Sequence, residues 1–129
     1  MTNVERILVG ALVGGVAGWV IESMSRGHLQ WSPAWNGAPI PFTPTYAAGG
    51  ALLAVAAPHL KDVPWPARAL TYAAGFTIVE YGACQIDRAA GNHTWGYGPD
   101  KRSCVDLEHT LAWGALGLLG EQVLKAVDR

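Results

Sequence analysis

Four stretches of this chain contain no Asp, Glu, Lys or Arg. Ile7 to Ile21 reads ILVGALVGGVAGWVI and Pro44 to Leu60 reads PTYAAGGALLAVAAPHL; Ala69 to Val79 and Thr110 to Gly120 are equally clean. A surface helix of a soluble protein needs one polar face. The first stretch has none on any side, and the second offers only Thr45, Tyr46 and the terminal His59. Extended into their flanks, all four approach the roughly 20 residues that cross a bilayer. The pattern predicts an all-α fold, an integral membrane four-helix bundle forming a single domain over residues 1–129. The competing reading is a soluble Ala/Gly-rich bundle, because short apolar runs also occur as buried helices. A signal peptide is a poor description of the first run: Glu5 stands beside Arg6 in its n-region and no convincing A-x-A site follows it.

The helix signals are local. The first helix is expected over Val4 to Ser23. The second starts at Thr43-Pro44, a capping residue followed by proline at the first helical position, and ends near Pro58 to Asp62. The third begins in VPWPARAL and runs to about Ile86. The fourth starts at Ser103, where Ser103 and Asp106 have capping-box-like spacing, and carries Glu121 and Lys125 in the favourable i,i+4 order near its end. One connection, KDVPWP, is tight. The other two, MSRGHLQWSPAWNGAPIPF and DRAAGNHTWGYGPDKR, are long. Four spans put both long loops on one face and both termini on the other. Arg6, Lys61, Arg68, Lys125 and Arg129 then face Arg26, Arg88, Lys101 and Arg102, a small excess that favours cytoplasmic termini. The halves also look alike: GWVIES ends the first helix and TIVEYG lies in the third, which suggests two repeated hairpins.

Composition agrees. Only 15% of residues are charged, against about 25% in a soluble domain. The net charge of −1 gives no electrostatic case for nucleic acid.

Against this apolar background the carboxylates stand out. Gly10, Gly14 and Gly18 are four apart, share one helix face and form a doubled GxxxG that admits a close neighbour. The next position in that row is Glu22. Ala73, Thr77, Glu80 and Cys84 make a comparable stripe on the third helix. Glu22 and Glu80 are therefore expected to face the bundle interior near the loop-side ends of their helices, as functional groups or as anchors for loop hydrogen bonds. His28, His93 and His109 fall on the same side, but without HxxxH or HxxE spacing no metal site is expected; His59 lies at the opposite end. Cys84 and Cys104 flank the second long loop, either as a disulfide or as two free thiols. The NHT triplet matches a glycosylation acceptor, a pattern frequent by chance.

GNHTWGYGP, Gly91 to Pro99, packs a histidine and two aromatics among glycines and a proline. Trp and Tyr favour the bilayer edge, but an aromatic belt needs no clustered glycines. The composition instead suggests a roof over a pocket, with Trp95 and Tyr97 turned inward and Trp35, Phe42 and Tyr46 supplied from the other loop.

GWVIES, PIPFTPTYAAGGALL, FTIVEYGACQ, NHTWGYGP and LAWGALGLLGE occur here in the order in which the bacterial ABC-transporter type IV (CmpB-like) family places similar segments, and the chain resembles that family from about Gly18 to Glu121. Glu22, Pro44-Thr45-Tyr46, Glu80-Tyr81, Trp95-Gly96-Tyr97 and Trp113-Gly114 occupy the places of its motifs. Gly96 replaces the family's Asp and Ala47 its Gly. The resemblance implies a small polytopic membrane protein. No GxxxxGK[ST] occurs, so ATP hydrolysis would need a partner ATPase.

Together these readings give three expectations. The first is binding or transport of a small amphipathic or cationic ligand. Glu22 and Glu80 would recognise charge, and Trp35, Tyr46, Tyr81, His93, Trp95, Tyr97, His109 and Trp113 would line the pocket, with no cofactor. The second is a membrane-embedded acid/base enzyme for a lipophilic substrate, with Glu22 and Glu80 catalytic. The third is a structural subunit whose glycine face packs on a partner membrane protein or a second copy.

Overall fold

The computed structural model describes residues 1–26, 44–91, 96–99 and 102–128, with the side chains of 22–26 and 44 left aside. Four α-helices follow one another: α1 (Asn3–Arg26), α2 (Pro44–Ala56), α3 (Trp65–Ala89) and α4 (Leu107–Val127). The all-α, four-helix expectation holds.

Every helix differs at a boundary from the sequence reading, and the first runs on from Ser23 to Arg26. The second helix ends at Ala56, and the chain tightens into a 3₁₀ turn over Ala57–Leu60. Pro58 has no N–H to continue the α ladder, and a 3₁₀ turn absorbs the loss. The third helix continues past Ile86 to Ala89, so Glu80 lies nine residues, about 14 Å of helix, before its end rather than near it. The fourth starts at Leu107, not Ser103. Its cap is Asp106, extended in backbone, whose carboxylate accepts from the His109 N–H. Ser103 is drawn instead into a short antiparallel bridge with Tyr97.

The fold establishes the four-helix part of the expectation and not the membrane part. Among the described residues one segment, Asn3–Ile21, is long and apolar enough to cross a bilayer by length and composition. The second helix is too short by itself, and polar residues interrupt the ends of the third and fourth.

Helix α1 packs chiefly on α2, and α3 on α4, while the two pairs meet through α2. Each pair is closed by glycines. A Cβ at Gly10 would collide with the Gly50 carbonyl, at Gly14 with the Tyr46 carbonyl and at Gly18 with the Tyr46 ring. In the second pair a Cβ at Gly114 would stand 2.8 Å from the Ala69 carbonyl oxygen, and one at Gly117 would enter the Tyr72 ring. Backbones thus approach where a methyl group would hold them apart, as the GxxxG spacing predicts. Leu53, Ala54, Tyr72 and Leu124 form the buried cluster where the pairs join.

A disulfide, Cys84–Cys104, closes the loop between α3 and α4 across a sequence separation of 20. This resolves the alternative between paired and free thiols. Within that loop Gly98 takes a positive φ of 75°, a conformation glycine adopts without strain, and the chain turns there between Tyr97 and Ser103.

Candidate functional site

The interior between the two pairs is open because α1 makes little contact with α3 or α4. A cavity of about 230 Å³ fills this space; its wall includes Gly14, Gly49, Leu53, Phe76 and Leu116. Nearly all of the wall is hydrocarbon or glycine backbone. The polar groups in it gather around Tyr46, Glu80 and Trp113.

Glu80 is 2% exposed. The small-residue stripe of α3 turns it inward, between Ala73 and Cys84, which are also buried. Tyr97, carried in by the disulfide-closed loop, donates its hydroxyl to Glu80 Oε2 at 2.6 Å. Trp113 comes from the α4 face that also holds Gly114 and Gly117. Its indole N–H is near enough to interact with the Glu80 carboxylate but is not aligned on it. Glu80 Oε1 and Trp113 Nε1 are therefore both buried without a hydrogen-bond partner among the described residues. A buried carboxylate with one unsatisfied oxygen is costly, and such groups mark places where a partner arrives.

The aromatic surround is continuous. Tyr46 meets Trp113 edge-on at 5.4 Å. The His109 ring lies 4.5 Å from that of Tyr97 and 6.3 Å from that of Trp113. Asp106 Oδ2 stands 2.6 Å from His109 Nδ1, so the carboxylate favours the tautomer with its proton on Nδ1. The same bond, with the His109 backbone N–H, holds the Asp106 carboxyl below its usual range.

The structure thus brings together Tyr46, Glu80, Tyr97, His109 and Trp113 of the residues expected from sequence. It does not include Tyr81 in this group. Tyr81 is 53% exposed, because the residue after an inward-facing one on a helix is rotated by about 100°. Trp35, His93 and Trp95 lie outside the described residues, as does the Glu22 side chain. The glycine row leading to Glu22 does face α2.

Sequence reasoning missed a second buried carboxylate at the other end of the bundle. Glu121, 3% exposed, accepts from Arg68 Nε at 2.9 Å and from the Tyr72 hydroxyl. Its i,i+4 spacing to Lys125 pointed to a surface pair, yet Gly114, Gly117 and Glu121 lie three and four apart. That is the same small-residue row that singled out Glu80. No cluster of three or more metal-ligating side chains occurs among the described residues.

Comparison with family models, with curated proteins and with solved structures gives no match.

Proposed function

We propose that this is a small polytopic membrane protein whose interior binds an amphipathic ligand: an aliphatic chain in the cavity and a cationic, hydrogen-bond-donating head at Glu80. The observation that carries the reading is the pairing of one almost fully buried carboxylate with an otherwise apolar cavity. An anionic head repels the carboxylate and a neutral one offers at most a hydrogen bond, whereas an ammonium group supplies both charge and donors. Tyr46, Tyr97 and Trp113 surround the head with aromatic faces and edges suited to a cation. Glu80 and Trp113 both line the cavity, and Glu80 Oε1 and Trp113 Nε1 are buried without a hydrogen-bond partner among the described residues, so a head group entering there meets an acceptor still to be satisfied.

The membrane location is supported by the outward faces. Leu8 and Leu12 of α1, Leu52 of α2, Ile78 and Ile86 of α3, and Leu111 and Leu119 of α4 are all exposed, while the interior holds Glu80 and Glu121. Apolar outside and carboxylate inside is the arrangement expected in lipid, and exposed apolar area on this scale is rare in soluble monomers.

The test uses purified protein in mild detergent and tryptophan fluorescence to compare dodecylammonium, dodecanol and dodecanoate. Dodecylammonium is expected to bind best. Glu80→Gln should weaken it about tenfold or more, the scale of a hydrogen bond to a charged group. Gly49→Leu, which fills the cavity beside Phe76, should reduce binding of all three. Equal affinity for the ammonium and the carboxylate would remove the basis of the proposal.

One observation favours a second reading. Glu80, which lines the cavity, is hydrogen-bonded to Tyr97, whose ring packs on that of His109, itself hydrogen-bonded to Asp106. Acid/base chemistry on a lipophilic substrate would use Glu80 with these titratable neighbours, and in that case Glu80→Gln would abolish turnover while leaving substrate affinity largely intact.

A further inference from the structure

The end of the bundle opposite Glu80 holds a second cavity, of about 250 Å³, lined by residues of a different kind. Arg6 enters from α1, Lys61 from the turn after α2, Arg68 from α3 and Lys125 from α4. Four separate elements therefore deliver a cation to one hollow. Ala54, Pro58 and Leu124 contribute apolar wall.

Two of the cations are already answered. Arg6 is held by Asp128 at 2.8 Å, and Arg68 by the buried Glu121 at 2.9 Å, with a further hydrogen bond from Arg68 Nη1 to the Val63 carbonyl at 2.6 Å. Lys61 and Lys125 have no ion-pair partner among the described residues. The two carboxylates in the wall are engaged by the arginines, so the cavity keeps a positive excess. Gathering like charges around a hollow costs free energy unless an anion occupies it. The arginine pairs fix the frame; the lysines are left to meet the ligand.

We infer that this cavity binds a phosphate group through Lys61 and Lys125. Its wall, four cations beside the apolar Ala54, Pro58 and Leu124, suits a phosphate-bearing head group or a free anion. Lysine ammonium groups bind phosphate as point charges. The chemistry is shared by an anionic phospholipid, whose acyl chains would leave along the apolar wall, and by free inorganic phosphate; the two are separated by experiment. The site is independent of the ligand reading at Glu80, since no residue of the Glu80 group lines it.

The experiment compares the wild-type protein with Lys61→Gln/Lys125→Gln, a double variant that leaves both arginine–carboxylate pairs in place. Each is placed in nanodiscs of phosphatidylcholine alone or with phosphatidylglycerol, and separately titrated with sodium phosphate against sodium chloride at equal ionic strength. Native mass spectrometry counts retained lipids, and thermal unfolding reports stabilisation. Phosphatidylglycerol should be retained and should raise the unfolding temperature of the wild type, and the double variant should hold it roughly thirtyfold more weakly, from the contribution of a lysine near an anionic surface. Stabilisation by inorganic phosphate alone, lost in the double variant, supports the same site with the free anion as its ligand. Equal behaviour of wild type and double variant under both ligands, or no stabilisation by either, overturns the inference. Glu80→Gln run in parallel should bind phosphate-bearing ligands like the wild type, so failure at one end of the bundle is not mistaken for failure at the other.

Discussion

Removing the Cys84–Cys104 bond is the perturbation whose cost is most directly worked out from this structure. The bond closes a loop of 20 residues. In the chain-entropy treatment a loop of that length restricts the unfolded ensemble by about 3.3 kcal/mol at room temperature. That is a large share of the roughly 5–15 kcal/mol that holds a domain together. The native loop has other ties, including the Tyr97–Ser103 bridge and a hydrogen bond from Arg88 Nη2 to the Arg102 carbonyl at 2.8 Å, so the fold should survive the loss. Cys84→Ala/Cys104→Ala is expected to lower the unfolding free energy by about 3 kcal/mol in reversible mixed-micelle denaturation. Reductant should lower the wild type by a similar amount and leave the double variant unchanged. Denatured wild type should take up maleimide only after reduction. The site provides a second readout, because Tyr97 is carried by this loop and donates to Glu80; dodecylammonium binding should weaken with the bond cut. A loss below about 1 kcal/mol, with unaltered ligand affinity, would refute the view that the bond restrains the loop and presents Tyr97.

Tyr97→Phe removes the hydrogen bond that the Tyr97 hydroxyl donates to Glu80 Oε2 and should destabilise the protein by about 1–3 kcal/mol, read in the same denaturation assay. Gly117→Ala places a methyl group in the Tyr72 ring and should cost about 1–3 kcal/mol through overpacking, whereas the same change at a glycine without close neighbours should not. Asp106 gives a pH test: its carboxyl is lowered from 3.8 by His109, so its contribution is complete above that unfolded value and is lost as pH falls through the lower folded one; Asp106→Asn, which keeps a capping oxygen, should flatten the acid limb of the stability curve. The membrane proposal predicts that the protein stays in the pellet after alkaline carbonate washing and leaves it only with detergent.

Periodicity and small-residue spacing carried most of what was legible. Four uncharged runs gave four helices, and Gly10, Gly14 and Gly18 identified the face that meets α2, because close backbone packing excludes every larger side chain. The same logic found Glu80. It failed for Glu121 only because a nearby lysine offered a simpler local partner. Residues brought together by tertiary structure were harder to read: Arg68 and Tyr72 reach Glu121 from another helix across more than forty positions, and nothing local announces that. Asp106 and Ser103 are equally good caps by type, and the choice between them was made by the bridge to Tyr97 and the disulfide next to Ser103. Tyr81 was grouped with Glu80 through adjacency in sequence, which on a helix means divergence in space.

The glycine contacts also determine which substitutions this lineage can accumulate. Gly10, Gly14, Gly18, Gly50 and Gly117 each face an atom that a Cβ would strike, whereas Gly75 and Gly82 have open space there. Drift should therefore be filtered position by position within one residue type. Alanine at Gly75 or Gly82 is admissible and even adds helix propensity, by about 0.5–1 kcal/mol. At Gly10 or Gly14 no single replacement is admissible, because the obstructing atom is the backbone of α2 and cannot be trimmed by a compensating mutation. A change there could persist only if the two helices moved apart, which would redraw the cavity between the hairpins. The inner width of the protein is thus inherited through residues that have no side chain at all.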